Sequence, residues 1–142
     1  MRSSDPFADF LAAYAAAVRA RDTDAFVALY DESLHVFDMW QAPPLLGLPA
    51  WREMAEGWFG GLGDEVVVVT WRQAQSRVEG DLAFGHALLN FAAQAPDGSV
   101  LRALDNRLSV AMRRGASGWK VFHEHTSAPV QHADLRAVLQ LP

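Results

Sequence analysis

The chain has 142 residues, a length that suits one domain with its own hydrophobic core and excludes most multidomain architectures. Twelve Lys and Arg residues against seventeen Asp and Glu residues give a net charge of −5, which disfavours binding to nucleic acid or to anionic membranes. The sequence has no cysteine, so disulfides, thiolate nucleophiles and cysteine-ligated metal sites are excluded.

The alanine-rich N-terminal region has the spacing of a helix. Asp5 and Pro6 are typical of an N-cap and a first helical position. Apolar side chains then recur on one helical face, at Phe7, Phe10, Leu11, Tyr14 and Val18. No stretch reaches the roughly eighteen apolar residues that a membrane span needs, so we expect a cytoplasmic protein.

A short second helix and a strand are predicted next. Asp22 begins the helix, whose apolar face consists of Phe26, Leu29 and Tyr30. The strand covers residues 34–39, and its alternation turns Leu34, Val36 and Asp38 to one side.

A loop and a third helix follow the strand. Residues 41–49 contain three prolines and a glycine, which disfavour a continued strand. Pro49 begins the helix and Gly60 ends it. One side of this helix carries Trp51, Met54, Ala55, Trp58 and Phe59.

Beyond residue 65 the pattern changes from helical to extended. Four segments, near residues 65–77, 82–95, 100–113 and 119–127, are separated by short sequences rich in Gly, Asp and Pro. Such turns predict an antiparallel meander of four strands. Apolar spacing over residues 133–141 predicts a short terminal helix.

Helices followed by a long antiparallel sheet predict an α+β fold in which the helices cover one face of the sheet. Strands of a dozen or so residues must coil, and a coiled sheet closed by helices encloses a conical hollow. Trp40, Trp51 and Trp58 fall near the start of that hollow. They either line an apolar pocket or belong to the core.

Three stretches resemble the NTF2-like superfamily, and within it the SnoaL-like and ketosteroid-isomerase-like proteins. They are AAYAAAVRARDTDAFVALYDESLHVFD at residues 12–38, GLPAWREMAEGWF at residues 47–59 and GWKVFHEHTSAP at residues 118–129. The last stretch is also similar to the association domain of the calcium/calmodulin-dependent kinase.

The resemblance implies an NTF2-like cone, in which three N-terminal helices pack on a strongly curved antiparallel or mixed sheet. It implies one such domain over residues 5–129, followed by a C-terminal tail over residues 130–142. Because this superfamily includes both enzymes and non-enzymatic domains, the fold alone does not define an activity.

Asp38 and Tyr14 are candidates for chemistry at a carbonyl group. A carboxylate in an apolar hollow has its pKa raised by desolvation, toward the range useful for a general base. By resemblance, Asp38 matches the aspartate of ketosteroid isomerases that shuttles a proton beside a ketone. Tyr14 matches the tyrosine that donates to the developing enolate oxygen. The alternatives are a strand-end Asp that caps the loop and a hydrogen-bonded core Tyr.

The third catalytic group of those isomerases, a protonated aspartic acid, has two possible positions here. The string RALDNRL places it at Asp105, whereas counting back from the hairpin before Trp119 places it near Ser109. Asp105, Arg107 and Ser109 share one strand face. If that face lines the hollow, Arg107 pairs with Asp105 and keeps it ionised, so that it cannot donate a hydrogen bond. The alternative is that the face is solvated.

The last predicted strand carries His123 and His125 on one face and Glu124 on the other. Two imidazoles can bind zinc, but a catalytic zinc site needs a third protein ligand, and the sequence places none nearby. We therefore expect no metal site.

These observations predict a cofactor-independent isomerase, cyclase or lyase that abstracts a proton beside the carbonyl of a small hydrophobic substrate. The candidate catalytic residues are Tyr14, Asp38 and Asp105. The candidate substrate-binding residues are Trp40, Trp51, Trp58, Arg107, Ser109 and Glu124. No glycine-rich phosphate loop is present, so no nucleotide cofactor is expected. The alternative is a non-catalytic domain that binds a small ligand or mediates homo-oligomerisation. We expect a homodimer, with neither nucleic acid nor membrane as partner.

Overall fold

A computed structural model describes residues 5–142 of the chain. It contains three helices, α1 (Pro6–Ala20), α2 (Thr23–Val27) and α3 (Gly47–Gly60). It contains six strands, β1 (Tyr30–Phe37), β2 (Leu45–Leu46), β3 (Val66–Glu79), β4 (Leu82–Gln94), β5 (Val100–Gly115) and β6 (Gly118–Ser127). Among these residues, no helix has both the length and the apolar character required of a membrane span.

Helix α1 begins and packs as its sequence pattern predicts. The Asp5 carboxylate accepts a hydrogen bond from the Ala8 N–H at 3.0 Å, and Pro6 occupies the first helical position. The apolar stripe is buried against β3 and β4. At the start of the stripe the Phe7 ring lies directly over Gly85 of β4, where a Cβ atom would lie 2.2 Å from the ring. A glycine at this position lets the helix approach the sheet.

The strands form one mixed sheet in the order β2-β1-β6-β5-β4-β3. All neighbouring strands are antiparallel except β1 and β6, which run parallel with Val36 beside Glu124. The four long strands form the predicted meander, and the helices cover one face of the sheet. The α+β fold predicted from the sequence is confirmed.

Alternation along β5 determines which side chains face the helices. Leu108 and Val110 are buried beneath them, and Asn106 belongs to the same inner face. Asp105 and Arg107 therefore lie on the outer face of the sheet. On β6 the same alternation turns Glu124 inward.

Two element boundaries differ from the sequence prediction. Tyr30 begins strand β1 and does not end α2, because its segment pairs with β6 at Val121. Helix α3 begins at Gly47, two residues before Pro49. Gly47 has a φ of 82°, a conformation that glycine adopts without strain.

The C-terminal segment, residues 130–142, does not form the predicted helix. Its backbone groups bond to the sheet and to the preceding chain. Asp105 N–H donates to the Leu139 carbonyl at 2.7 Å, and Val138 N–H donates to the Pro129 carbonyl at 2.7 Å. Leu135 has a φ of 62°, which interrupts helical geometry. Within this segment only Leu135 N–H donates to the residue four positions before it, the Gln131 carbonyl at 2.8 Å, so one helical bond does not continue into a helix.

Candidate functional site

A cavity of about 950 Å³ lies between α1, α3 and the inner face of the sheet. This volume is within the range of small-molecule sites, roughly 300–1,000 Å³. Its walls are mainly apolar and include Trp51, Met54, Trp58, Val67, Phe91 and Leu104. The polar side chains that line it include Tyr14, Asp38, Asn106, Glu124 and Thr126. An apolar cavity with few polar groups is typical of a site for a small hydrophobic ligand.

Glu124 is the most deeply buried carboxyl group in the cavity wall, with 2% of its surface exposed. The Tyr30 hydroxyl donates a hydrogen bond to its Oε1 at 2.7 Å. Burial raises the pKa of Glu124 to about 7, while the Tyr30 hydrogen bond opposes the rise and the negative charge of Asp38 adds to it. At neutral pH this carboxyl group therefore exists in both its protonated and its ionised form.

Asp38 follows β1 and reaches the same cavity, half-buried, on the side to which Leu34 and Val36 point. The Thr126 hydroxyl lies 3.4 Å from its Oδ1 and itself accepts a hydrogen bond from the Met39 N–H at 3.0 Å. Burial raises the pKa of Asp38, and the Trp40 N–H and the Thr126 hydroxyl partly oppose that rise.

Tyr14 points from α1 into the cavity and is 6% exposed. Its ring packs among Phe10, Phe26 and Phe91 at centroid distances of 5.7, 5.3 and 6.4 Å. Within residues 5–142 its hydroxyl has no hydrogen-bond partner. Burial and the negative charges of Glu124 and Asp38 raise the pKa of Tyr14 well above its usual value. The phenol therefore stays protonated and remains free to donate a hydrogen bond to a ligand.

The three tryptophans predicted to line a pocket all contact the cavity, at different depths. Trp40 is 63% exposed and lies at the rim, whereas Trp51 is 2% exposed. Trp51 packs against Phe26 and Tyr30 at 5.8 and 5.3 Å, so it belongs to the core as well as to the cavity wall. Its indole N–H lowers the pKa of Tyr30 but makes no hydrogen bond of ordinary geometry within the described chain.

Asp105, the third candidate catalytic residue, lies on the opposite face of the sheet from the cavity. Its carboxylate accepts hydrogen bonds from Asn90 at 2.9 Å and from the Leu141 N–H at 2.7 Å, and forms an ion pair with Arg72 at 3.5 Å. Burial opposes ionisation, but these three partners together lower the pKa of Asp105. The structure therefore separates Asp105 from Tyr14 and Asp38.

Arg107 and Ser109 share the outer face with Asp105. Arg107 is exposed and donates to the Ser127 hydroxyl at 3.1 Å, and it is Arg72 that pairs with Asp105. Neither residue lines the cavity. The structure thus places both candidate binding residues away from the candidate site.

His123 and His125 also lie on the outer face, where both contact Phe37 at a centroid distance of 5.4 Å. His123 Nδ1 bonds to the His35 carbonyl oxygen at 2.8 Å. In the part of the chain that the structure describes, no group of three or more His, Cys, Asp or Glu side chains could hold a metal ion.

Asn106 and Thr126 line the cavity but were not among the candidate residues of the sequence analysis. The sequence does indicate that Asn106 faces inward, because alternation places it on the same strand face as Leu104 and Leu108. Thr126 shares its face with Glu124 in the same way. Both residues can therefore be recognised as cavity-lining candidates, because each is a polar residue on an inward strand face.

Comparison with known proteins identifies relatives over most of the chain. The model of the SnoaL-like domain matches residues 8–131. An NTF2-like protein of unknown function from Pseudomonas putida KT2440 is 28% identical, with a TM-score of 0.83 over 96% of this chain and 93% of that one. The search of curated proteins finds no match.

Two further solved structures are similar in fold. An NTF2-like protein with a cystatin-like fold from Novosphingobium aromaticivorans is 20% identical, with a TM-score of 0.75 over 96% of this chain and 88% of that one. A protein named as a candidate dehydratase of the NTF2-like family, from Streptomyces avermitilis, is 15% identical. Its TM-score is 0.74 over 89% of this chain and 95% of that one.

Proposed function

The chain belongs to the SnoaL-like domain family of the NTF2-like superfamily, and we propose that its cavity catalyses proton transfer beside the carbonyl group of a small, mainly hydrophobic substrate. One observation carries the proposal. Asp38 and Glu124 line the same apolar cavity as the free Tyr14 hydroxyl, and burial raises the pKa of both carboxyl groups, that of Glu124 to about 7. A fully buried carboxyl group beside a half-buried, hydrogen-bonded one is suited to the roles of acid and base.

Asp38 acts as the base, because it is only half-buried and the Trp40 N–H and the Thr126 hydroxyl favour its carboxylate form. Its carboxylate accepts a proton from the carbon beside the carbonyl, and the electrons of the broken C–H bond move to form an enolate. The Tyr14 hydroxyl donates a hydrogen bond to the enolate oxygen, and protonated Glu124 is a second donor. Return of the proton to a different carbon isomerises the substrate, and its return to the same carbon regenerates it.

The charges around the cavity favour a neutral substrate. The ionised Asp38 carboxylate repels an anion. The cation in the wall, Arg102, pairs with Glu65 at 2.6 Å. A dehydratase, the activity in the name of the Streptomyces avermitilis protein, also begins by removing a proton when the leaving group lies β to a carbonyl. Lyase chemistry is therefore compatible with the same set of residues.

Exchange of hydrogen for deuterium at the C1 carbon of 2-tetralone in D₂O tests the proposal, with NMR as the measurement. Asp38→Asn removes the base and should slow the enzyme-dependent exchange by about 10²- to 10⁴-fold. Asp31→Asn, on the strand that precedes Asp38 and in a partly exposed pair with Arg113, is the matched control and should leave the rate within about twofold.

Equal exchange rates in the parent protein and in Asp38→Asn would contradict the proposal. Binding of 2-tetralone without exchange would instead support the alternative, a non-catalytic ligand-binding domain.

A further inference from the structure

Strand β6 covers only part of one edge of β5. Strand β4 pairs with β5 along almost its full length, whereas β6 pairs only with residues 107–115. The C-terminal residues 138–142, which we call the strap, lie against the remaining part of that edge. There the Asp105 N–H donates to the Leu139 carbonyl at 2.7 Å. The strap therefore continues the hydrogen bonding of β5 where β6 ends.

The strap also forms part of the cavity mouth. Leu139 and Gln140 line the cavity next to Ala103 and Leu104 of β5. Gln140 Nε2 donates to the Ala103 carbonyl at 3.3 Å, and Gln140 is exposed. A molecule that fills this end of the cavity therefore contacts the strap as well as the sheet.

Charged side chains on the outer face of the sheet anchor the strap. The Leu141 N–H donates to Asp105 Oδ2 at 2.7 Å, and the Leu141 carbonyl accepts a hydrogen bond from Arg72 at 2.7 Å. Arg72 also pairs with Asp105 at 3.5 Å. Hydrogen bonds to charged groups are stronger than those between neutral groups. The strap thus crosses the edge of β5, with its anchor on the outer face and its cavity-lining residues at the mouth.

Apart from this anchor, the strap is weakly attached. All five of its residues are partly buried or exposed, and residues 131–137, which lead to it, are exposed. A segment with little buried apolar surface and an exposed connection opens at a lower free energy than core strands do. The bonds from Arg72 and Asp105 therefore determine how often the strap leaves the edge of β5.

We propose that the strap closes the cavity mouth over a bound ligand, and that Arg72 and Asp105 are positioning residues that control ligand release from the opposite face of the sheet. A ligand that contacts Leu139 and Gln140 stabilises the docked strap, and by reciprocity the docked strap stabilises the bound ligand. The inference requires only that the cavity hold a small apolar molecule, so it does not depend on proton transfer by Asp38.

Dissociation of the neutral fluorescent probe N-phenyl-1-naphthylamine after rapid dilution tests the inference by stopped flow. Arg72→Gln removes the charged donor to the Leu141 carbonyl and should increase the dissociation rate about tenfold. Arg72→Lys retains a charged donor and should stay within about threefold of the parent. Arg77→Gln, also on β3 but in an exposed pair with Glu79, is the matched control and should leave the rate within about 1.5-fold.

Amide hydrogen exchange distinguishes closure over a ligand from a purely structural role. The N–H groups of Asp105 and Leu141 both bond across the contact between the strap and β5. A saturating concentration of the probe should slow the exchange of both amides at least about threefold, and Arg72→Gln without the probe should accelerate it about tenfold. Amides of residues 79–82, at the other end of the sheet, should be unaffected by the probe.

An unchanged dissociation rate in Arg72→Gln, or exchange of the Asp105 and Leu141 amides that the probe does not slow, would overturn the inference. Failure of the probe to bind the parent protein would overturn it as well. If the exchange of 2-tetralone still depends on Asp38 in any of these cases, the proposed function stands and the inference alone fails.

Discussion

Glu124 and Asp105 are both almost completely buried carboxyl groups of one sheet, at 2% and 6% exposure, yet the protein shifts their pKa values in opposite directions. The pKa of Glu124 is raised to about 7, whereas that of Asp105 is lowered. Glu124 lies on the inner face beside the cavity. Asp105 lies on the outer face beneath the C-terminal segment.

The difference comes from the partners of each group. Glu124 has one donor, the Tyr30 hydroxyl, and a nearby negative charge at Asp38. Asp105 has donors from Asn90 and Leu141 and an ion pair with Arg72. Burial raises both pKa values, so the sign of the net shift depends on how fully each carboxylate is satisfied. A carboxylate with several hydrogen-bond donors stabilises the fold, whereas one with few donors is available for proton transfer.

Ionisation of the buried Glu124 carboxyl group destabilises the folded protein. Replacing Glu124 with Gln should therefore increase the free energy of unfolding at high pH. Because the folded-state pKa is raised, the folded protein binds more protons than the unfolded chain between about pH 4.5 and 7, and loses stability as the pH rises through that window. Glu124→Gln should therefore be more stable than the parent by about 3 kcal/mol at most at pH 8, and by less than about 1 kcal/mol at pH 5. Urea denaturation at both pH values measures the difference.

Glu56→Gln, an exposed change on α3, is the control and should alter stability by less than about 0.5 kcal/mol at either pH. A constant stability difference between Glu124→Gln and the parent from pH 5 to 8 would mean that Glu124 is not the group that titrates.

Replacing Asp105 with Asn should lower the free energy of unfolding. The change removes the charge that pairs with Arg72 and places the new amide NH₂ group against a neighbouring hydrogen-bond donor. The free energy of unfolding should therefore fall by about 2 kcal/mol. Hydrogen exchange of residues 138–142 should become faster, because Leu141 loses its acceptor.

Asp81→Asn breaks an exposed pair with Arg114 and is the matched control, with an expected effect below about 1 kcal/mol. Unchanged protection of the C-terminal segment in Asp105→Asn would remove the structural role assigned to Asp105.

Replacing Tyr30 with Phe removes the hydrogen-bond donor of the Glu124 carboxyl group. Loss of the 2.7 Å hydrogen bond removes a donor to the carboxylate, so the pKa of Glu124 should rise further. The pH at which 2-tetralone exchange declines should then move upward by about one unit, equivalent to about 1.4 kcal/mol. A rate that falls equally at every pH would show that Tyr30 supports only the fold.

The periodic spacing of apolar residues in the sequence was sufficient to predict most of the fold. The stripe through Tyr14 and the alternation through Asp38 depend only on local spacing, and the structure turns both side chains into the cavity. The family resemblance is confirmed by the match to the SnoaL-like domain over residues 8–131. The three roles given to Tyr14, Asp38 and Glu124 remain proposals.

The environment of Asp105 depends on contacts that local spacing does not contain. Its donors come from β4, from Arg72 of β3 and from the C-terminal segment, which contacts β5 through Asp105 itself. Alternation does place Asp105 opposite to Leu104 and Leu108, but it leaves open which of the two faces lines the hollow. The predicted terminal helix is absent for a related reason, because the Leu139 carbonyl and the Leu141 N–H both bond to Asp105 of β5.

The parallel pairing of β1 with β6 determines when a folding chain acquires its cavity. The hairpins of the meander close over short turns, whereas Val36 and Glu124 meet across an intervening chain of more than eighty residues. Loop-closure entropy delays such distant contacts relative to local ones. Asp38 extends from β1 and Glu124 belongs to β6, so a partly folded molecule with the meander alone has an incomplete site. During refolding, ligand binding should therefore return in a later kinetic phase than the sheet signal in circular dichroism.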